Sequence, residues 1–289
     1  MSTAETSEAR MLPMQTTHDS EPSTMEELIE QLGEAGVRLT ELNACEGAAG
    51  NLSIYCHPEI AVPAGFSRTE RIELPEVVSE LSGGRFIVTG SGARLRDICR
   101  RPLACLAIVE ILAGGRTATL HYGRERQFAR VTSEFNSHLT VHRFHIAKDA
   151  LRSHAVVHAQ PRRVTYLSHL DEYGEPGTLN RRLLRWQPEA ILNFPEGIAV
   201  LPFLIPGQAE LMHASDQALR QCRIAVWSKH GVMARSEQSI LSAVDLVEYL
   251  EAAAYYECFD RLLGGSAQGL SAEQLRRVAE AYDVHQDLF

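Results

Sequence analysis

The sequence lacks the features that mark several specialised classes of protein. Its 289 residues contain no Cys-x-x-Cys pair, and six scattered cysteines in a chain of this length do not make a disulfide framework. No apolar run approaches the ~20 residues of a membrane span, and the N-terminus has no basic segment followed by an apolar core. A formal charge of -9 argues against nucleic-acid binding. We therefore expect a reduced, cytoplasmic protein with no membrane or nucleic-acid partner.

What is present is an ordinary globular composition, 45% hydrophobic and 22% charged. Residues 1–24 are rich in Ser, Thr, Glu and Met without apolar periodicity, which predicts a disordered tail. Residues 25–289 are predicted to form one domain. Ser23-Thr24 is the candidate cap of its first helix, because Glu26 and Glu27 follow in the first turn.

Strand and helix patterns mix along the chain without strict alternation. This favours an α/β fold: a single-domain α/β/α sandwich with a mixed, largely antiparallel central sheet and helices on both faces. Strands are predicted at 51–55, 86–88, 155–159, 224–227 and 232–234. Helices are predicted at 132–148, capped by Thr132 or Ser133, after Pro161, and at 238–263, with an irregular segment at 57–83 and either strand or helix at 103–112.

The most informative stretch is the apolar run 155–161, which brings His158 and then Gln160 to one face of a strand. Glu134 lies upstream and His230 downstream, each on a separate segment. Imidazoles that hold a divalent cation and a carboxylate that transfers a proton are what a metal-assisted carbonyl enzyme needs. The combination predicts a site assembled in space.

Each of these residues, taken alone, also has an ordinary structural interpretation. Glu134 near a helix start complements the helix dipole, His158 suits a packed core, and His230 suits a turn. The histidines at helical spacing after Glu134 are interpreted as packed or surface residues: His138, His142 and His145. The loop at 89–92 is Gly-rich and compatible with phosphate binding, although Gly-Ser loops are common.

The order of short blocks along the chain is more specific. These blocks are Gly50-Asn51-Leu52-Ser53, Thr89-Gly90-Ser91-Gly92, Thr132-Ser133-Glu134, His158-Ala159-Gln160, Phe194-Pro195-Glu196-Gly197, Leu201-Pro202 with Pro206-Gly207, and His230-Gly231-Val232. In this order the chain, from about residue 25 to 289, resembles the class II aldolase/adducin family. The blocks at 194–197 and 201–207 favour the branch that acts on rhamnulose 1-phosphate.

The resemblance implies a metal-dependent aldehyde-lyase that cleaves a ketose 1-phosphate to dihydroxyacetone phosphate and an aldehyde. It implies a divalent metal, zinc by family habit, a small sugar phosphate as substrate and a homotetramer. Glu134 corresponds to the acid/base, a role that favours a carboxylate whose pKa is raised by a dry site. Glu189 corresponds to a second acid at the aldehyde side, or is a surface carboxylate. The phosphate pocket corresponds to Asn51, Gly90, Ser91, Gly92, Thr132 and Ser133.

The sequence departs from the family at one metal ligand. His-x-His is here His158-Ala159-Gln160, and an amide oxygen is a weak ligand for zinc. Gln160 then ligates a harder or loosely held metal, another histidine such as His154 or His169 replaces it, or the metal is lost. Ala48 also stands where the rhamnulose branch has an asparagine.

Two functions of different class therefore stay open at this point. One is the lyase. The other is a non-catalytic, adducin-like binding module that keeps the fold without the metal chemistry. A sugar-phosphate epimerase or dehydratase on the same scaffold is a third possibility within enzymes. Retention of Glu134, the 89–92 loop and both other histidines favours the lyase.

Overall fold

The computed structural model describes residues 24–289. The tail predicted for residues 1–24 therefore lies outside the described residues, except for Thr24. The predicted cap is confirmed: the Thr24 hydroxyl accepts from the Glu27 N–H, and the Glu27 carboxylate accepts from the Thr24 N–H, a reciprocal capping box.

A nine-stranded sheet runs through the described residues in the order β2-β5-β4-β3-β1-β6-β9-β8-β7. All neighbouring strands are antiparallel except β7 and β8, which are parallel. The strands are β1 (Asn51–Cys56), β2 (Arg68–Glu73), β3 (Arg85–Thr89), β4 (Leu106–Ile111), β5 (Thr117–Tyr122), β6 (Ser153–Ala159), β7 (Ala199–Leu201), β8 (Ile224–Trp227) and β9 (Gly231–Ser236). The predicted mixed, largely antiparallel sheet is confirmed.

Helices cover both faces of this sheet. They are α1 (Met25–Glu41), α2 (Pro102–Cys105), α3 (Phe135–Asp149), α4 (Arg162–Leu167), α5 (Pro176–Leu183), α6 (Pro188–Asn193), α7 (Ala209–Leu219), α8 (Ile240–Leu262) and α9 (Ala272–Ala281). Helices α1, α4 and α8 cover one face, and α3 and α7 cover the other. Because side chains alternate along a strand, β6 sends Ala155 and Val157 towards α8, and His154, Val156 and His158 towards α3.

Three predictions of local structure need correction. The segment 57–83 is not wholly irregular, because it contains the edge strand β2. The segment 103–112 is both helix and strand, since α2 leads directly into β4. Neither Thr132 nor Ser133 caps α3; the N-cap position belongs to Glu134, whose side chain makes no capping hydrogen bond.

Candidate active site

A pocket of about 200 Å³ opens where β1 begins and β6 ends. It contains every predicted site residue except Glu189, together with the loop that precedes β1. Its lining residues are Ala48, Ala49, Gly50, Asn51, Gly90, Ser91, Gly92, Thr132, Ser133, Glu134, His158, Gln160 and His230. The structure thus brings together segments that are far apart in the sequence.

Strand pairing explains much of this convergence. Asn51 and His158 are direct partners in the β1–β6 register, so both side chains leave the same face at the same level. His230 follows Lys229, whose φ of 66° turns the chain between β8 and β9 back towards that level. The Lys229 N–H donates to the Ser168 hydroxyl over 2.7 Å, which holds this turn against the end of α4.

Glu134 is the centre of the pocket's polar contacts and is only 5% exposed. Its Oε2 accepts from the Asn51 amide over 2.7 Å and lies 3.6 Å from His158 Nε2, and its Oε1 lies 3.8 Å from His230 Nε2. Burial favours the protonated acid, but the neighbouring imidazoles and the Asn51 hydrogen bond outweigh burial and lower the pKa of Glu134. The expectation of a raised pKa is therefore wrong. Glu134 does lie at the N-terminus of α3, as the helix-dipole interpretation expects, and its pocket contacts come in addition to that position.

One of the two histidines of the pocket has the hydrogen bonding of a metal ligand. His158 Nδ1 donates to the Val232 carbonyl over 2.8 Å, which leaves the lone pair on Nε2, the nitrogen facing Glu134. Burial lowers the pKa of His230 to about 4, and its Nδ1 is buried without a hydrogen-bond partner. Glu134, His158 and His230 each offer a ligand atom within 4.8 Å of the others. This donor set fits a divalent cation.

No third imidazole among the described residues joins these two. His154 lies further along the same face of β6, where it contacts His142 and His145, and His169 is exposed outside the pocket lining. Gln160 does line the pocket, immediately after the end of β6. Its backbone N–H donates to the Ala44 carbonyl over 2.7 Å. The two alternative histidines considered from the sequence are therefore in the wrong places.

The loop after β3 contributes less backbone to the pocket than expected. The N–H groups of Gly90 and Ser91 already donate to the Cys105 and Arg130 carbonyls, both over 2.8 Å. A Cβ on Gly90 would lie 2.1 Å from the Phe128 ring, so packing accounts for this glycine. Gly92 has a φ of 79° with open space around it. The Ser91 hydroxyl and the exposed backbone at Gly92 are what this loop can offer to an anion.

Glu189 lies apart from the pocket. It begins the first turn of α6 and lines a second cavity of about 650 Å³, together with Arg235, Glu237 and Asp245. Within one chain, the structure does not bring it together with Glu134.

Two contacts of the site were not predicted. The Trp227 ring stacks on His158 with centroids 4.6 Å apart, and Asn51 Oδ1 accepts from His138 Nε2 over 2.5 Å. His138, His142 and His145 are packed, as predicted, but their spacing of four and three residues also directs them at the sheet, and this signal was available in the sequence.

A second group with metal-ligand atoms within 4.8 Å of one another consists of His145, His154 and Glu237. Its two rings are stacked nearly parallel, 12° apart, and the Glu237 carboxylate pairs with the Arg235 guanidinium. The Arg235 guanidinium is therefore the cation that pairs with the carboxylate of this group.

Comparison with known proteins agrees with this geometry. A family profile described as the Class II Aldolase and Adducin N-terminal domain matches residues 30–258. The chain belongs to this family, and its membership supports an aldehyde-lyase activity.

The chain is similar to several aldolases within this family. The chain is 32% identical over 212 residues to a rhamnulose-1-phosphate aldolase of Listeria welshimeri, covering 71% of this chain and 73% of that one. It is 28% identical over 259 residues to a rhamnulose-1-phosphate aldolase of Enterococcus faecalis, covering 89% and 91%. A sugar-phosphate aldolase structure from Thermotoga maritima superposes with a TM-score of 0.72 at 26% identity, over 85% of this chain and 99% of that one.

A membrane-spanning helix is not found among residues 24–289, since none of their helices combines the necessary length and apolar character.

Proposed function

We propose that this protein is a metal-dependent aldehyde-lyase that cleaves rhamnulose 1-phosphate, or a closely similar ketose 1-phosphate, to dihydroxyacetone phosphate and an aldehyde such as lactaldehyde. The observation that carries this proposal is the convergence of Glu134, His158 and His230 within one pocket that also holds hydroxyl donors. The two relatives with rhamnulose-1-phosphate aldolase names support the choice of substrate.

His158 and His230 would hold the divalent cation, with the Gln160 amide completing the protein's set of ligands. Zinc is our first expectation, because imidazole nitrogens suit it. A cation held there supplies polarisation of the ketose carbonyl and stabilisation of the negative charge that develops on its oxygen.

Glu134 would move the proton at the reacting carbon. Its lowered pKa keeps it ionised, so in the condensation direction the carboxylate accepts a proton from the carbon of dihydroxyacetone phosphate that forms the new bond. In cleavage the hydroxyl of the carbon that becomes the aldehyde releases a proton, and Glu134 would take up that proton, deliver it to the dihydroxyacetone phosphate carbon and end ionised again. The Asn51 amide, which donates to Oε2, fixes which way the carboxylate faces.

The phosphate would be bound by the hydroxyl donors that line the pocket, Ser91, Thr132 and Ser133, with Asn51 and the Gly90 to Gly92 loop in the same lining. The pocket also lies at the N-terminus of α3, a 15-residue helix whose dipole favours an anion.

We further propose a homotetramer whose active sites lie at subunit boundaries. Glu189 lies outside the pocket of its own chain, so a role at the aldehyde side requires it to reach the pocket of a neighbouring copy. Light scattering tests the assembly: a chain of 32.1 kDa that stays monomeric at micromolar concentration would contradict it.

The decisive assay measures retro-aldol cleavage of rhamnulose 1-phosphate by wild type and Glu134→Gln. The variant should lose roughly 10²–10⁴-fold in kcat and keep its metal content, because an amide cannot carry the proton. Glu210→Gln is the matched control, since Glu210 also lies at a helix N-terminus but is exposed and outside the pocket. Full activity in Glu134→Gln would remove the acid/base assignment.

A binding module without catalysis is the competing function, favoured by Gln160 in place of an imidazole. Competitive zinc titration of wild type and Gln160→His at one pH separates the two, because ligands compete with protons. If wild type binds weakly, the variant should gain more than the ~10–100-fold typical of outer contacts. If wild type binds tightly, Gln160→His should change little. No binding by either protein would favour the module.

A further inference from the structure

A line of hydrogen-bonded side chains leads from the pocket into the interior beneath α3. It begins at Asn51, whose Nδ2 donates to Glu134 and whose Oδ1 therefore accepts from His138 Nε2, at 2.7 and 2.5 Å. His138 must then accept at Nδ1, and it does so from the Ser53 hydroxyl over 2.6 Å. The orientation of one amide thus determines the tautomer of His138 and the direction of the Ser53 hydroxyl.

The same logic continues to the end of the line. Since the Ser53 proton points at His138, Ser53 Oγ accepts from His142 Nε2, 2.7 Å away. His142 Nδ1 then carries a lone pair and accepts from His154 Nδ1 over 2.8 Å. His154 Nε2 is the buried end, without a partner. Every donor in the line has one acceptor, and no alternative arrangement of neutral side chains keeps the Asn51 bond to the carboxylate.

The line is dry and uncharged. Its members are at most 8% exposed: Asn51, Ser53, His138, His142 and His154. Apolar clusters flank it, one around Phe86 and Phe135 and the other around Val156 and Trp227. Burial lowers the pKa of His138 to about 3, and it also lowers the pKa values of His142 and His154 well below the ordinary value. The three imidazoles are therefore neutral, with fixed tautomers.

A line of this composition orients groups and does not conduct protons. A carboxamide would have to pass through an imidic acid to relay a proton, so Asn51 interrupts any path between His138 and Glu134. What the line can transmit is geometry, because His138 fixes the Asn51 plane and that plane fixes the Glu134 carboxylate.

We propose that His138, supported by Ser53, His142 and His154, is a positioning residue that holds Asn51 and through it the Glu134 carboxylate in the orientation used for proton transfer. This inference rests on the proposed lyase function for its kinetic consequence, but not for its structural one. Loosened outer contacts typically cost ~10–100-fold in activity, and a misplacement of about 1 Å has a similar effect.

Two substitutions at one position separate orientation from packing. In His138→Gln the side-chain amide can reach the place of Nε2 and still donate to Asn51. In His138→Asn the shorter amide reaches only the place of Nδ1, beside Ser53, and leaves Asn51 unheld. Expected kcat values are within about 3-fold of wild type for His138→Gln and ~10–100-fold below it for His138→Asn, with KM little changed in both. Thr140→Val is the control, since Thr140 is buried on the same helix but its hydroxyl donates to the Ser137 carbonyl within α3 and not to the line.

Nitrogen-15 NMR of the histidine rings gives a readout that needs no turnover. At pH 7, His138 and His142 should be neutral with the proton on Nε2, and His154 neutral with the proton on Nδ1. Replacing Asn51 by Leu should broaden or shift the His138 signals first. A charged His138, or a proton on its Nδ1 alone, would overturn the inference whatever the enzyme does.

The two failures are distinguishable. A wild type that cleaves no ketose 1-phosphate while showing these tautomers removes the proposed function and leaves the line intact. An active wild type in which His138→Asn matches His138→Gln in kcat removes the positioning role and leaves the lyase.

Discussion

Two buried networks, one beneath α8 and one beneath α3, accommodate polar groups in opposite ways. Under α8, Glu257 is a fully buried carboxylate that accepts from the Tyr173 hydroxyl, from Trp186 Nε1 over 2.9 Å and from Arg185 Nη2 over 3.1 Å. Under α3, the line from Asn51 to His154 carries no charge at all. The Glu257 cluster neutralises a buried charge with partners, and the histidine line avoids charge.

The difference reflects what each network holds. The Glu257 cluster joins α8 to the segments around α5, near the edge of the core, where arginines can keep contact with solvent. The histidine line passes between two apolar clusters, where a charge would have no partner and its desolvation would be costly. Neutral imidazoles still direct hydrogen bonds, so they give orientation without an uncompensated ion.

The largest expected loss of stability comes from a substitution in the Glu257 cluster. Glu257→Leu leaves the Arg185 guanidinium, 15% exposed, with Asp260 at 3.4 Å as its remaining carboxylate partner, and should lower the free energy of unfolding by roughly 3–5 kcal/mol. Urea denaturation measures it. Glu172→Gln, at an exposed pair with Arg261, is the control and should cost under about 1 kcal/mol. Equal losses in both would mean that burial is not what matters.

The histidine line should lose less stability than the Glu257 cluster when one of its side chains is removed. Ser53→Ala leaves His138 Nδ1 and His142 Nε2 without partners in the interior, at about 1–3 kcal/mol. Ser215→Ala is the matched control, because the Ser215 hydroxyl is equally buried but has no hydrogen-bond partner. Chemical denaturation should show a loss for the first variant and little change or a gain for the second. A loss at Ser215 as large as at Ser53 would contradict this view.

The pH dependence of stability should come mainly from the histidines of the line. The pKa values of His138, His142 and His154 are depressed in the folded state, so the unfolded chain takes up protons first as the pH falls below its ordinary value of about 6.5. Stability is full above that pH and declines as the pH falls towards about 3, the pKa of His138. Each such histidine contributes about 1.4 kcal/mol per pH unit in this window.

His154→Phe should therefore reduce the slope of unfolding free energy against pH by about one proton between pH 5 and 6. The measurement is a urea titration at several pH values. His285→Asn is the control, since His285 is 90% exposed, and it should leave the slope unchanged. An unchanged slope in His154→Phe would show that His154 is charged in the folded protein.

The smallest loss of stability is expected for an ion pair whose two side chains are exposed to solvent. Arg162 and Glu46 form a pair at 3.0 Å with side chains 57% and 55% exposed. Arg162→Gln should change the free energy of unfolding by under about 1 kcal/mol, and less in high salt. A larger change that persists in high salt would mean that the pair is not a simple surface contact.

The sequence predicted the strands that are buried on both faces of the sheet. The strands β1, β3, β6, β8 and β9 read as apolar runs because they are interior strands of the sheet, and each was predicted. The edge strand β2 was missed because its six residues are mostly charged and exposed, and β5 beside it was not predicted at all. Such strands are specified by pairing partners distant in the chain, which local patterns do not report.

The candidate site likewise has properties that the sequence predicts and properties that it does not. The identity of its residues could be predicted from ordered motifs, and ten of the eleven predicted residues line one pocket. Their electrostatics could not, because the lowered pKa of Glu134 depends on Asn51 and on histidines from β6 and the β8–β9 turn. The role of Gly90 likewise depends on Phe128, 38 residues further on, and the place of Glu189 depends on how α6 packs.

Glu251 shows how a residue on the far face can influence the candidate metal segment. From α8 its carboxylate accepts hydrogen bonds from the backbone N–H groups of Arg163 and Val164, which lie in the first turn of α4, two and three residues after Pro161. These two amides have no carbonyl partner within α4, so their protection from hydrogen exchange depends on α8 instead. Their exchange rates therefore report, without any ligand, how firmly the exit from β6 is held.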